Sequence, residues 1–412
     1  MPSFLRFLAD NFRWLAGGFL LTLFSSFGQT YFISLSSGEI RRAFDLSNGG
    51  FGALYMLATL GSALTLPVLG RVMDRYPAAI VAAGTMLMLA VATILMGFAG
   101  GAVMLVLALY LLRLFGQGMM TQTALTSTGR WFAANRGRAV SLVTLGQQVG
   151  EGIFPFLFVV AAGALGWRGG WFACAALLLV LALPLGVMLL KVERNPAGDV
   201  VPTRQRAGRD WTRAEVLRDP NFYVLCSGVL APPFVATTIF FHQVYLTELR
   251  GWPLGIFAGA FVVMSATTVV TTLTAGWLID RFTAIRLLPT FLLPLGLACF
   301  AIAWLDQAWT IPLFMMLLGI SFGFSSTLIG ALWPEIYGTR ELGSIRSVVV
   351  AMMVFATALG PGLTGWLIDI GVSYPLQLAA MGVYAFAAAG AMVLVSRRYR
   401  DRRMIEAMEL PG

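Results

Sequence analysis

The chain of 412 residues is 58% hydrophobic and 11% charged, and its mean hydropathy of +0.81 exceeds what a soluble core under a hydrated surface produces. Its net charge of +9 does not indicate nucleic acid, because the cations gather at the ends of apolar stretches and no basic patch interleaved with aromatics occurs. The composition is that of an all-α, polytopic membrane protein.

A hydrocarbon layer of about 30 Å takes about 20 apolar residues per helix. Charged or Pro/Gly-marked breaks accordingly predict twelve transmembrane helices, at 12–36, 48–70, 78–99, 102–127, 139–165, 170–191, 221–248, 253–279, 287–305, 308–333, 345–370 and 375–396. Span 1 follows Asn11 and Arg13 without a small-residue cleavage site behind it, so it is read as retained rather than as a signal peptide. It carries FGQTYFISL (27–35), which sets Gln29 and Tyr31 in an apolar run. Spans 2 and 3 are joined by GRVMDRYPAA (70–79). Span 4 holds Arg113 and span 5 holds Glu151, in LYLLRLFGQG and GQQVGEGIFP respectively.

Residues 192–220 mix six Arg with five acids and read as a polar linker between two six-helix halves, 1–191 and 221–396, with a tail at 397–412. In span 7 the pair Pro232-Pro233 reads as a broken helix and a gating hinge. The same span ends on FHQVYLTEL (241–249), with His242, Gln243 and Tyr245. Span 8 is followed by GWLIDRFTAIR (276–286). The three cysteines, Cys174, Cys226 and Cys299, fall inside apolar spans, which argues against disulfides. With a single histidine they leave no metal constellation, and no phosphate-binding loop suggests a nucleotide, a cofactor or enzyme chemistry.

The alternate loops beginning with the N-terminus hold 23 of the 28 Lys and Arg. The opposite loops hold Arg41, Arg42, Arg168 and Arg250, and Arg113 alone lies inside a span away from its ends. The positive-inside rule places both termini in the cytoplasm, with the protein in the cell (inner) membrane.

The halves echo one another. Gly70, Asp74 and Arg75 correspond to Gly276, Asp280 and Arg281 at an offset of 206 residues, as does Pro155 to Pro361, while FGQTYFISL and FHQVYLTEL correspond at 214. Such repeats are typical of secondary transporters, whose site lies near the bilayer midplane. GRVMDRYPAA resembles the first intracellular motif of the major facilitator superfamily, although Pro77, Ala78 and Ala79 replace its usual glycine and basic residues. The Arg113 segment resembles that superfamily's span 4 motif, and GQQVGEGIFP its span 5 hinge. RWFAANRGRAVS (130–141) resembles the pattern of its monocarboxylate and oxalate/formate group.

The resemblance implies two pseudo-symmetric six-helix halves, a monomer, a cavity lined by spans 1, 4, 7 and 10, and a gate at the two Asp-Arg loops. It also implies a small organic anion as substrate, with a proton or a counter-substrate. Gln29, Tyr31, Gln243 and Tyr245 would then lie on or near the cavity. Residues i and i+2 diverge by about 200° on a helix, so one of each pair faces a neighbouring helix.

A charge at the bilayer centre costs about 3 kcal/mol on insertion scales. Arg113 and Glu151 lie at about 21 Å and about 18 Å from the same membrane face at 1.5 Å per residue, so they are expected to pair. The pair either only fixes helix packing, or Glu151 takes up a proton and frees Arg113 for an anionic group. Their counterparts at the 206 offset are Gly319 and Thr357. His242, whose counterpart is Gly28, is suited either to proton coupling or to a satisfied hydrogen bond. Gly116, Gly118, Gly146, Gly150 and Gly152 allow close helix approach.

Against the anion reading, spans 8 and 11 lack internal cations, and span 1 lacks the acidic dipeptide of monocarboxylate carriers. Proton-driven efflux of lipophilic or neutral compounds is the alternative, and a transport-inactive membrane sensor a further one.

Overall fold

The computed structural model describes residues 2–132, 135–194, 211–338 and 341–409, and the side chains of these except 2–5, 136, 280 and 400–409. Among the described residues the structure is helical, with no strand. Helices occur at all twelve predicted positions. Gly166, at φ 73°, divides spans 5 and 6 within Arg136–Leu177. Large apolar side chains such as Leu64 (80% exposed), Val103 (86%) and Val180 (78%) stand outward on these helices, as a lipid solvent requires and water does not.

The chain packs as two compact units, Met1–Arg204 with Phe240–Val262, and Gln205–Ile239 with Val263–Gly412. The first therefore holds spans 1–6 together with the end of span 7 and the start of span 8. The unit boundary falls within spans 7 and 8, not at the linker alone. Most of the linker, 195–210, lies outside the described residues.

In the first unit, span 1 is broken. A helix Pro2–Phe24 passes into a 3-10 turn at Ser25–Gly28, Gln29 is extended (φ −82°, ψ 151°), and helix resumes at Thr30–Ile33 and again at Ser37–Phe44. Span 4 is irregular at the facing level, where Leu112–Met120 is a π-helix. The two deviations fit together through glycine. A Cβ on Gly116 would lie 2.5 Å from the Cα of Gly28, and one on Gly28 would lie 2.2 Å from the carbonyl oxygen of Leu112. On its other flank span 1 meets span 5, where a Cβ on Gly146 would stand 2.2 Å from Phe19 O and one on Gly150 would stand 2.3 Å from Ser26 Oγ. Span 1 is thus wedged between spans 4 and 5 by side-chain-free contacts. Phe24, Phe27, Phe32, Phe154, Phe158 and Trp171 close this core, with ring centroids 4.8 to 5.8 Å apart.

Span 7 departs from expectation. Pro220–Phe241 is one helix that continues through Pro232 and Pro233; Pro is tolerated where neighbours satisfy the freed carbonyls. The break lies at His242, after which helix resumes at Gln243–Arg250. At the 214 offset His242 corresponds to Gly28, so both copies of the repeated motif sit on a helix break.

The second unit contains span 10, Thr310–Tyr337, whose Gly319 and Gly323 pack on span 8. Added Cβ atoms there would meet Met264 O at 2.6 Å and Thr268 O at 2.5 Å. Helix Arg213–Arg218 starts with a capping box of Thr212 and Glu215. Beside it Tyr337, Tyr399 and Asp219 form a buried chain of 2.8 Å hydrogen bonds. After span 8, Thr283 has φ 71° and ψ 153°, a conformation suited to glycine alone.

Two outcomes follow for thermal unfolding of the detergent-solubilised protein. Thr283→Gly relieves strain of about 1 kcal/mol or more and raises the Tm. Gly116→Ala, which overpacks the contact with span 1, costs about 1–3 kcal/mol and lowers the Tm, whereas Gly84→Ala, with no atom within 4 Å of the added Cβ, does not.

Candidate functional site

Arg113 projects from the π-helical part of span 4 into the break of span 1. It is 5% exposed. Nη1 donates to Gly28 O at 3.2 Å and Thr30 Oγ1 at 3.4 Å, and the guanidinium lies 5.5 Å from the ring centroid of Tyr55. Tyr55 OH and Thr30 Oγ1 share a 2.7 Å hydrogen bond. The Arg113 Nε is buried without a partner. Among the described residues, every group that holds this cation is neutral.

The expected ion pair with Glu151 is not formed: among the described residues no ion pair includes either side chain. Span 1 stands between the two helices, with Gly28 against Gly116 and Ser26 against Gly150. Glu151 is 7% exposed. Its neighbour is Tyr31, whose ring is held by Phe240 and Phe261 at 6.5 and 5.2 Å and whose hydroxyl lies beside Ser26 in the electrostatic reach of Glu151. The Tyr31 and Ser26 hydroxyls are both buried and lie side by side.

The second motif meets the first directly. Gln243 is fully buried, and its Nε2 donates to Tyr31 O and Ser34 Oγ, both at 2.7 Å. Ser34 in turn donates to Phe240 O at 2.6 Å. This relay fixes the direction of each bond: the amide gives both protons, and Ser34 passes its own to a carbonyl near the span 7 break. Phe241 packs on Phe51 and Tyr55 at 5.0 and 4.8 Å. Farther out, Glu248 approaches Arg41 at 3.6 Å and Arg42 at 3.8 Å. The Arg42 pair is solvent-facing and contributes little.

Gln243 thus faces span 1. Tyr245 is half-buried and lines a shallow cleft with His242, Ser37, Arg41 and Asn48. Gln29, 9% exposed, sits at the break itself. His242 is buried, edge-on to Phe241.

At the basic ends of spans 2 to 4, Asp74 pairs with Arg130, which also donates to Met73 O at 2.7 Å. Gly70 packs on Gln122, an added Cβ lying 2.7 Å from its Nε2. Arg75 is exposed and, with Asp74, Arg130, Trp131 and Glu193, borders a cavity of about 340 Å³. Glu193 accepts from the Ala78 amide at 2.7 Å and from Trp131 Nε1 at 2.9 Å. In the second unit Glu335 likewise accepts from the Ala284 amide, at 2.9 Å, and residue 284 is residue 78 at the 206 offset. There Gly276 has open space, Arg281 lies over Trp277 and Phe282, and the side chain of Asp280 is outside the described residues.

Ser26, Thr30, Ser34, Tyr55, Arg130 and Glu193 escaped the sequence reading. Ser34 had a signal, since residue 34 plus the 206 offset is Phe240, its own partner. The others are common residue types that only the fold brings together.

A model of the Major Facilitator Superfamily matches residues 18–361 and 260–409. Monocarboxylate transporter 13 of Rattus norvegicus is 25% identical over 320 residues, spanning 74% of this chain and 70% of its own. Monocarboxylate transporter 11 of Homo sapiens is 24% identical over 355 residues, 84% and 74% of the two chains. An aspyridones efflux protein of Emericella nidulans is 24% identical over 275 residues, 65% and 54%. Among solved structures, a bacterial homolog of the human lysosomal transporter Spinster superimposes with a TM-score of 0.74 at 17% identity, covering 94% of this chain and 97% of that one. These matches agree with the helical architecture and the repeated motifs: the chain belongs to the Major Facilitator Superfamily and is a multi-pass membrane transport protein.

Proposed function

We propose that the protein is a secondary active transporter that moves a small, monocarboxylate-like organic anion by alternating access, coupled to protons or to exchange. The observation that carries this is Arg113: a buried guanidinium held, among the described residues, by a carbonyl, a hydroxyl and an aromatic ring, with Nε unpartnered. An uncompensated cation within the bilayer is costly, and a carboxylate that reaches it gains charge-assisted hydrogen bonds. The monocarboxylate transporters among the relatives support the same class. The loop charge asymmetry supports termini in the cytoplasm and placement in the cell membrane, and the protein acts as a monomer.

A second reading, efflux of lipophilic or neutral compounds, draws on the aromatic wall of Tyr31, Phe240 and Phe261 and on the efflux protein among the relatives. Counterflow of radiolabelled pyruvate in proteoliposomes separates the two. The anion reading expects counterflow in the wild type and a loss of about tenfold or more in Arg113→Gln, equivalent to about 1.4 kcal/mol or more of binding. Absence of carboxylate counterflow, with transport of hydrophobic solutes intact, would favour efflux. Glu151→Gln is expected to retain counterflow and lose uphill uptake driven by a pH gradient.

Alternating access also requires the Gln243–Tyr31–Ser34 bonds to open during the cycle. Gln243→Glu replaces the donor by an acceptor facing the Tyr31 carbonyl. In a Ser37→Cys background, labelling by a membrane-impermeant thiol reagent should then become several-fold faster, as expected for losing about 1 kcal/mol of hydrogen bonding; an unchanged rate would remove Gln243 from the gate.

A further inference from the structure

We propose that Arg113 receives the substrate carboxylate side-on, through Nε and Nη2, and that Thr30 and Tyr55 are positioning residues that fix this edge of the guanidinium for it. The proposal rests on the reading of Arg113 as the anion-binding group and adds which of its atoms meet the anion and what aims them. A guanidinium carries its N–H donors in a rigid plane. It offers a carboxylate two matched pairs, the end-on pair of Nη1 and Nη2 and the side-on pair of Nε and Nη2. Among the described residues the side-on pair is the one left open.

Nη1 is committed to the protein. It donates to Gly28 O at 3.2 Å and to Thr30 Oγ1 at 3.4 Å, which accounts for both of its protons. Nε is enclosed without a hydrogen-bond partner, and Nη2 makes no hydrogen bond among the described residues. The unused donors therefore sit on Nε and Nη2, the edge whose two parallel N–H bonds match the two oxygens of one carboxylate. Burying a donor without an acceptor is costly, and such orphans in native proteins mark sites of function or of bound ligands and waters.

Thr30 and Tyr55 set the orientation. Gly28 and Thr30 flank the extended Gln29, so Nη1 is held by both sides of the span 1 break. Tyr55 is fully buried. Its ring centroid lies 5.5 Å from the guanidinium, within cation–π reach, and its hydroxyl shares a 2.7 Å hydrogen bond with the same Thr30 Oγ1 that accepts from Nη1. The ring also packs on Phe241, with centroids 4.8 Å apart. The guanidinium therefore cannot turn without losing a bond to the break, and the Nε–Nη2 edge keeps one orientation. A neutral amide would set its own N–H donors against this edge, so the arrangement separates carboxylates from their uncharged isosteres.

The test reads the Arg113 side chain directly. The full chain, carrying isotope-labelled arginine, is followed by NMR in lipid nanodiscs, and the Arg113 Nε–H signal is assigned by its loss in Arg113→Lys. Pyruvate is expected to move that proton signal to lower field, as a charge-assisted hydrogen bond does, and pyruvamide to leave it in place. Thr30→Val is expected to raise the KM of pyruvate counterflow by about tenfold, as for loss of one hydrogen bond to a charged group. Thr30→Ser, which keeps the hydroxyl, restores the wild-type value, and Tyr55→Phe, which keeps the ring over the guanidinium, gives a smaller rise. An unchanged KM in Thr30→Val would overturn the positioning role. Heat stabilisation by pyruvate with an unmoved Nε–H signal would overturn the side-on assignment and leave the anion reading standing. If pyruvate neither stabilises the protein nor undergoes counterflow, the anion reading fails and the assignment fails with it.

Discussion

A broken helix inside a membrane must satisfy its own backbone, because lipid offers no hydrogen bonds. That constraint shapes the first unit. The turn at Ser25–Gly28 and the extended Gln29 release polar groups in the middle of span 1, and the neighbours are arranged around them. Glycines remove side chains at 28, 116, 146 and 150 so that helices close on the break. Span 4 adopts a π-helix opposite it, and such bulges recur at functional sites. Arg113 supplies a donor to the freed Gly28 carbonyl. The cation is therefore both a structural partner of the break and the group proposed to meet the substrate, which couples the shape of span 1 to occupancy.

The repeat clarifies how the two halves diverged. The motifs FGQTYFISL and FHQVYLTEL both mark helix breaks, and Gln243 of the second bonds to the backbone of the first. The chemistry between them is unequal. Where span 4 carries Arg113, span 10 carries Gly319, which uses the vacancy to approach a span 8 carbonyl. Where span 5 carries Glu151, span 11 carries Thr357, which bonds to its own helix. The second half keeps the close packing and omits the charge, so the proposed chemistry belongs to the first unit. Both halves still hold an equivalent loop amide on a carboxylate, Ala78 on Glu193 and Ala284 on Glu335.

The twelve spans were legible because hydropathy over about 20 residues is a strong signal, and the repeated motif singled out the residues at both breaks. The nature of the breaks was not legible. Pro232 and Pro233 carry the usual signature of a kink, yet their helix continues, because tertiary neighbours and not the local sequence decide whether a transmembrane proline interrupts. A similar expected depth suggested that Glu151 and Arg113 pair, but depth does not give azimuth, and span 1 runs between their helices, with Gly28 against Gly116 and Ser26 against Gly150. Tyr31 emerged as a cavity candidate from the motif, whereas Ser26 and Thr30 gave no pattern to read.

The central claim is that an acid-free guanidinium at the break of span 1 selects a carboxylate. Its most direct measurement is the thermal stability of the purified wild-type protein with pyruvate and, separately, with its uncharged isostere pyruvamide. Stabilisation by pyruvate alone is the predicted result; equal stabilisation by the amide, or by neither while lipophilic solutes stabilise, would contradict the account.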